Sequence, residues 1–444
     1  MSFATAGSVP TEKYTSTVTQ EFPTINRSYK LESSIKSRYK RDHLPISGAT
    51  LGNGQVKESY LEFLVQTSQH ELLDLQDFSL ELKIKFSKNG QALQATDNVT
   101  VIDGLGERIL SMMSLFCNST QIESHAYFNV WRAIDTYTSL HKNSVDSIGR
   151  NMYYHDLNSP IHDKIEAQCF EDRHMTSTGK KIKRECTGTI HMMIPVKFNI
   201  SSSDFYLLSG CNLRVRFDLA SPKVLINTPD TTDTFSYSIE MAKLWAQKVV
   251  PEPAALISLN RSLLNGKSVS YIHERPVLKN FVFPSGHSSL QLDDIFSGFV
   301  PNMVYLVMLK QNAVNGEYNL NAAYFQNAGM NRIRMELDGN VLSSMNVEFP
   351  DSVANIFHHT LTNLKNDDNM LNYHSFKNGR TILAWDLRSS DCSDVLNIER
   401  AGSLRLQINT AAPLDSNLFV FVFGITSGLV EIFGNRVVKT SYVM

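Results

Sequence analysis

The sequence has too little cysteine for a disulfide framework. Its 444 residues hold five, Cys117, Cys169, Cys186, Cys211 and Cys392, odd in number and scattered, a usage that points to a reducing compartment. Apolar runs are also short of the ~18 residues that a membrane-spanning helix needs. The greasiest stretch, 418–433, is interrupted by Gly424, Gly428 and Glu431 and reads as two buried strands with a bend. The N-terminus lacks a basic patch followed by an apolar one, so no secretory signal is expected. The Asn-X-Ser/Thr sequons at Asn26, Asn98, Asn118, Asn199 and Asn260 then read as chance matches. Neither sign of charge dominates, with a net charge of −2. A polycation that coats nucleic acid is therefore excluded, and any such contact must be local.

Catalytic signatures are missing as well. There is no G-x-S-x-G elbow, phosphate-binding loop, dinucleotide glycine fingerprint or H-E-x-x-H. His358 and His359 are consecutive on a predicted helix and point apart. Cys169, His174, Cys186 and His191 lack the close cysteine pair of a structural zinc site, since the two cysteines are 17 positions apart. Asp293–Asp294 and Asp367–Asp368 read as caps or turns rather than acid/base pairs. Trp131, Trp245 and Trp385 each sit among apolar residues and read as core. The expectation is a non-enzymatic protein with no catalytic residue, cofactor or metal.

What is present is β-structure. Residues 79–87 (SLELKIKFS) alternate Leu80, Leu82, Ile84 and Phe86 with polar residues, the period of a strand with one buried face. Asn89-Gly90 and Asp338-Gly339 are hairpin turn signals. Further strands are predicted at 61–65, 115–117, 189–198, 212–219, 237–249, 277–283, 303–311, 332–342, 381–387, 403–410 and 418–423, with one or two more over 429–438. Helices are predicted at 127–140, from Phe128, Trp131, Ile134 and Tyr137 on one face, and at 352–364, with Ser352 as N-cap. Pro251-Glu252-Pro253 breaks the chain near its middle.

The halves rhyme. Leu208-Ser-Gly-Cys-Asn-Leu-Arg-Val-Arg-Phe217 and Arg400-Ala-Gly-Ser-Leu-Arg-Leu-Gln-Ile408 each place a glycine turn before a strand with Leu beside Arg. A helix follows a short hairpin in both halves. The order predicts two tandem eight-stranded antiparallel jelly-roll sandwiches, an all-β fold with a few short helices. The boundaries are an N-terminal extended arm at 1–56, a first jelly roll at 57–250, a linker at 251–274 and a second jelly roll at 275–444.

Two basic segments stand out. Within the arm, residues 27–41 carry Arg27, Lys30, Lys36, Arg38, Lys40 and Arg41 against one acid, Glu32. The polar excursion 143–187 carries Lys180, Lys181, Lys183 and Arg184. Each reads either as solvated surface or as a contact for phosphate or an acidic partner.

Taken in order, SLFCNSTQIES (114–124), LLSGCNLRVRFDL (207–219), YSIEMAKLWAQKVV (237–250), FVFPSG (281–286), residues 296–321, MELDGN (335–340), TILAWDL (381–387) and GSLRLQI (402–408) resemble the double jelly-roll major capsid proteins of Polinton (Maverick) elements and adintovirus-like double-stranded DNA viruses. The resemblance spans roughly 55–440. Its most specific piece is Gly298-Phe-Val-Pro301 with Asn315-Gly316. The chain departs from the family after that turn, where Asn319-Leu-Asn-Ala-Ala-Tyr324 replaces Asn-Pro-Phe. The resemblance implies a homotrimer of pseudo-hexagonal outline that tiles an icosahedral shell around DNA, beside neighbouring capsomers and minor capsid or penton proteins. It implies a place in the virion, assembled in the host cytoplasm or nucleus. Arg27, Lys30, Lys36, Arg38, Lys40, Arg41, Lys180, Lys181, Lys183 and Arg184 then become candidates for an inner, DNA-facing surface. Asn315 and Gly316 become a candidate subunit-contact loop, and 143–187 and 311–331 candidate trimer contacts or outer towers. The alternatives are a non-enzymatic attachment module and a domesticated capsid-like protein.

Overall fold

The structure, a computed structural model, describes residues 34–47, 60–94, 97–141, 152, 161–165, 190–203, 205–347, 349, 353–366, 368–389 and 400–442. Eight principal strands form the first half: β1 (Ile35–His43), β2 (Tyr60–Gln66), β3 (Leu72–Lys88), β4 (Leu110–Cys117), β5 (Thr120–His125), β6 (Ile190–Val196), β7 (Asn212–Leu219) and β8 (Phe235–Pro251). Eight form the second: β9 (Val269–Phe283), β10 (Ser289–Leu292), β11 (Met303–Lys310), β12 (Met330–Leu337), β13 (Asn340–Asn346), β14 (Leu383–Asp386), β15 (Leu404–Thr410) and β16 (Leu418–Ile432). The first half pairs as β1-β8-β3-β6 facing β2-β7-β4-β5, and the second as β9-β16-β11-β14 facing β10-β15-β12-β13. Adding eight to each number of the first half yields the second. Both are antiparallel jelly rolls, so the chain has the double jelly-roll fold.

Helix α1 (Phe128–Ser139) lies between β5 and β6, and helix α3 (Ala354–Leu364) holds the matching place between β13 and β14. In the chain, α2 (Pro253–Leu264) follows the first sandwich and precedes the second. A last strand, β17 (Val438–Tyr442), pairs with the end of β16.

The local chemistry explains the turns. Asn89 and Gly90 have φ of 50° and 79°, and Asp338 and Gly339 have φ of 51° and 80°. Two left-handed residues in succession match the right-handed twist of the strands they join. In β3, Leu80, Leu82, Ile84 and Phe86 face the core as the alternation requires. In β11 and β16 there is no alternation to find, because both faces are covered. Val304, Leu306 and Met308 enter the second core while Val307 and Leu309 face the first sandwich. Val420 and Val422 likewise oppose Phe421 and Phe423.

Four expectations are corrected. Part of the extended arm is a strand: β1 runs antiparallel to β8, from Ile35 opposite Pro251 to His43 opposite Leu244. Every side chain from Lys36 to Arg41 is exposed, so no apolar alternation marks it; pairing with β8 makes it a strand. The 251–274 linker contains α2 and the start of β9, whose place at a sheet edge tolerates Pro276. Residues 418–432 form one continuous strand rather than two, in unbroken register with β9. Its glycines make room for facing rings, since a Cβ at Gly424 would stand 2.6 Å from the Phe296 ring and one at Gly428 2.6 Å from the His273 ring. The N-cap position of α3 is Val353, which makes no side-chain cap; Ser352 lies outside the described residues.

Strands of a jelly roll alternate in direction, which gathers the chain's turns at two ends. One end holds Ser34, whose carbonyl accepts from Glu252 N at 2.8 Å. It also holds the start of β9 and the turn 433–437, where Arg436 Nε donates to Ser209 O at 2.6 Å. No helix among the described residues is long and apolar enough to cross a membrane.

Gly424→Ala tests the ring-on-glycine contact. Its methyl overlaps Phe296 with Pro301 close behind, and the expected loss is about 1–3 kcal/mol in denaturant unfolding. A neutral change would show that the Phe296 ring moves aside freely.

Candidate functional site

The most constrained part of the molecule is the junction between the sandwiches. Helix α1 is amphipathic with an inward face of Val130, Ala133, Ile134 and Tyr137, and these pack with Val307, Leu309, Phe325, Met370, Phe421 and Phe423 of the second half. Trp131 packs on the other half too, its ring 5.4 Å from Phe423 in a tilted contact and 5.8 Å from Tyr305 edge to face. This is an apolar core built from both halves.

Charges are buried inside it. Arg380 and Asp103, both 0% exposed, form an ion pair at 3.4 Å across the junction. Tyr137 Oη donates to the same Asp103 oxygen at 2.6 Å. Beside them Arg132 Nη2 donates to Glu107 Oε1 at 2.9 Å, and Thr136 Oγ1 donates to that carboxylate at 2.7 Å. Burial works against the Arg380 charge, but Tyr137 and Asp103 outweigh it and raise its pKa. Burial, followed by the Asp103 charge, raises the Tyr137 phenol. Arg108 is buried with its guanidinium 5.2 Å from the Phe325 ring centroid, and its Nε and Nη2 find no hydrogen-bond partner among the described residues. Such a buried pair adds little net stability, yet it is costly to break and so selects one geometry.

Residues 311–329 strap the halves together. Ala313, Tyr318, Ala322 and Ala323 complete the first sandwich's core. Tyr318 Oη accepts from Phe235 N at 3.2 Å, and Tyr318 O accepts from Thr228 N at 2.8 Å. Asn315 ends a short helix, and Gly316, at φ 95°, presses against Lys223, where a Cβ would stand 2.7 Å from the Lys223 Cβ. The turn singled out as a subunit contact thus touches the other half of its own chain. The 311–331 segment, a candidate trimer contact or outer tower, makes these contacts within its own chain.

The basic residues divide differently. Lys36, Arg38, Lys40 and Arg41 lie on β1, at a sheet edge. Arg38 Nη2 donates to Tyr206 Oη at 2.6 Å and Lys40 pairs with Asp77 at 2.7 Å, so two are engaged within the chain. Charged side chains on an edge strand also oppose edge-to-edge aggregation. Arg27, Lys30, Lys180, Lys181, Lys183 and Arg184 lie outside the described residues.

Among the described residues no three His, Cys, Asp or Glu side chains converge as metal ligands. Cys169, His174 and Cys186 lie outside them, and His191 hydrogen bonds with Glu81 at 2.9 Å. His358 is exposed while His359 turns inward beside Trp385, where burial and then His358 lower its pKa. Asp293 pairs with Arg405, and Asp294 accepts from Gly298 N at 3.1 Å, a turn role. Trp245 Nε1 donates to Glu81 and Trp385 Nε1 to Ser343. A cleft of about 390 Å³ opens between the halves beside Trp131, Arg132, Asp135, Lys197, Glu274 and Ile425.

No family model matches the chain, and no curated protein matches it. Solved structures do. A chain of the Sputnik virophage, solved by cryo-EM, matches over 99% of this chain and 95% of its own length, with a TM-score of 0.61 and 11% identity. The mavirus major capsid protein matches over 99% and 97%, at TM-score 0.55 and 12% identity. The Faustovirus major capsid protein matches over 91% and 92%, at TM-score 0.53 and 9% identity. At such identities the likeness is one of fold: the whole double jelly roll, both sandwiches together, is shared with viral major capsid proteins.

A double-mutant cycle on Asp103 and Arg380 tests the junction. Arg380→Leu alone leaves a buried carboxylate and is expected to cost about 3–5 kcal/mol in denaturant unfolding, with much of it recovered when Asp103→Leu is added. Equal losses in the single and double variants would show that the ion pair does not define the junction.

Proposed function

We propose that this chain is the major capsid subunit of a double-stranded DNA virus or related element, a structural protein rather than an enzyme. One observation carries the proposal. Two sandwiches of identical strand order are fixed side by side by a shared core, in a fold shared over nearly the full chain with mavirus and Faustovirus capsid proteins. Such a subunit presents two similar corners. Three copies around a threefold axis then give six, a near-hexagon that packs a surface through repeated heterologous contacts. The Polinton-like lineage, the homotrimer, the icosahedral shell, and contacts with neighbouring capsomers and minor capsid or penton proteins belong to this proposal. So does the division into two jelly rolls joined by a connecting segment.

Electron microscopy of the purified full chain tests it. Trimers of hexagonal outline, or shells, are expected; monodisperse monomers at assembly concentrations would overturn it.

Contact between the basic segments and packaged DNA is the second part of the proposal. Lys36 and Arg41 are the informative described residues, because neither forms an ion pair with a described carboxylate, whereas changing Arg38 or Lys40 also breaks contacts within the chain. Lys36→Glu with Arg41→Glu is expected to lower the DNA content of particles while trimers persist. Particles of unchanged DNA content would remove β1 from the inner surface.

A further inference from the structure

The end of the molecule that holds Ser34 carries an apolar surface outside the junction and both cores. On α2, the outward positions Ala254, Ile257, Arg261 and Leu264 recur at helical spacing. Ile257 is 62% exposed and Leu264 86%. The turn 433–437 packs flush against the helix end, since a Cβ at Gly434 would stand 2.8 Å from Leu263 O. Between them lies a groove of about 560 Å³ lined by Leu263, Leu264, Phe433 and Val437, with Lys267 and Lys439 at its rim. Val437 is 49% exposed.

The charge around this groove is one-sided. Arg261, Lys267 and Lys439 are all exposed, and none forms an ion pair with a described carboxylate. Lys439 sits over the Phe433 ring at 5.1 Å. The nearest acid in register, Glu431, accepts from Ser268 Oγ at 3.3 Å. Apolar floor and cationic rim together specify the complement: large apolar side chains flanked by carboxylates.

We infer that this groove docks a segment of a second protein, one that carries Leu- or Phe-type anchors between acidic residues. Concavity favours a peptide over a flat lipid surface, because the space between α2 and the turn admits whole side chains. The rim cations then steer and orient it, and their effect falls with added salt. The inference does not depend on the shell reading, since it uses only this groove and its charge.

The test uses the full chain and a fluorescein-labelled peptide of Glu, Leu and Phe, with a counterpart in which Lys replaces Glu, followed by fluorescence anisotropy. Saturable binding of the acidic peptide alone is expected. Leu264→Asp, and separately Lys267→Glu with Lys439→Glu, should each weaken it by about tenfold or more. All three sites are exposed, so folding is retained, and thermal melting checks this. Equal binding of both peptides, or binding unchanged in the variants, would overturn the inference. So would three other results, each assigning the groove elsewhere: peptide binding that appears only after residues 1–33 are removed, self-association lost in Leu264→Asp, or Leu264-dependent co-sedimentation with phosphatidylglycerol vesicles without peptide binding.

Discussion

The junction between the sandwiches is the constraint on which the rest depends. Strands β11 and β16 are covered on both faces, one by their own core and one by α1. A surface of Val307, Leu309, Phe421 and Phe423 could not stay in water, so the halves cannot behave as beads on a string. Apolar packing brings them together without much direction. The Asp103–Arg380 pair and its Tyr137 partner supply direction, because a buried charge tolerates only the arrangement that neutralises it. In the proposed assembly, six nearly equal corners from three chains would require the angle within each chain to be fixed.

The same logic separates the chain's charges into two kinds. Those at the junction are enclosed, and Asp103 with Arg380 and Glu107 with Arg132 are paired. Basic residues on β1 and around α2 are exposed, and Lys36, Arg41, Arg261, Lys267 and Lys439 form no ion pair with a described carboxylate. An edge strand with six consecutive exposed side chains is protected from chance pairing by its charges, which reads its basic composition as a property of the fold as much as of a ligand.

Much of this was legible in the residues. Alternation in 79–87, the two consecutive left-handed turns at Asn89-Gly90 and Asp338-Gly339, and the helix–strand order of each half follow from local chemistry. The failures share a cause. β1 has no hydrophobic pattern because it is a strand only by virtue of β8. The glycines of β16 looked like a bend because the rings of Phe296 and His273 that need them come from distant positions. The Asn315-Gly316 turn carries family-like residues, but no local signal says that its neighbour is Lys223. The ion pair joins residues 103 and 380, a partnership that spacing alone does not reveal.

The strap has a consequence for how the protein is made. The first sandwich's core includes Tyr318, Ala322 and Ala323, so that sandwich is still open when its last own strand, β8, leaves the ribosome. That core also takes in Val430, Ile432 and Val438, so its closure waits for nearly the whole second half, during which apolar surface is unshielded. The numerically first half is thus finished by the second, so the first sandwich has no complete core of its own.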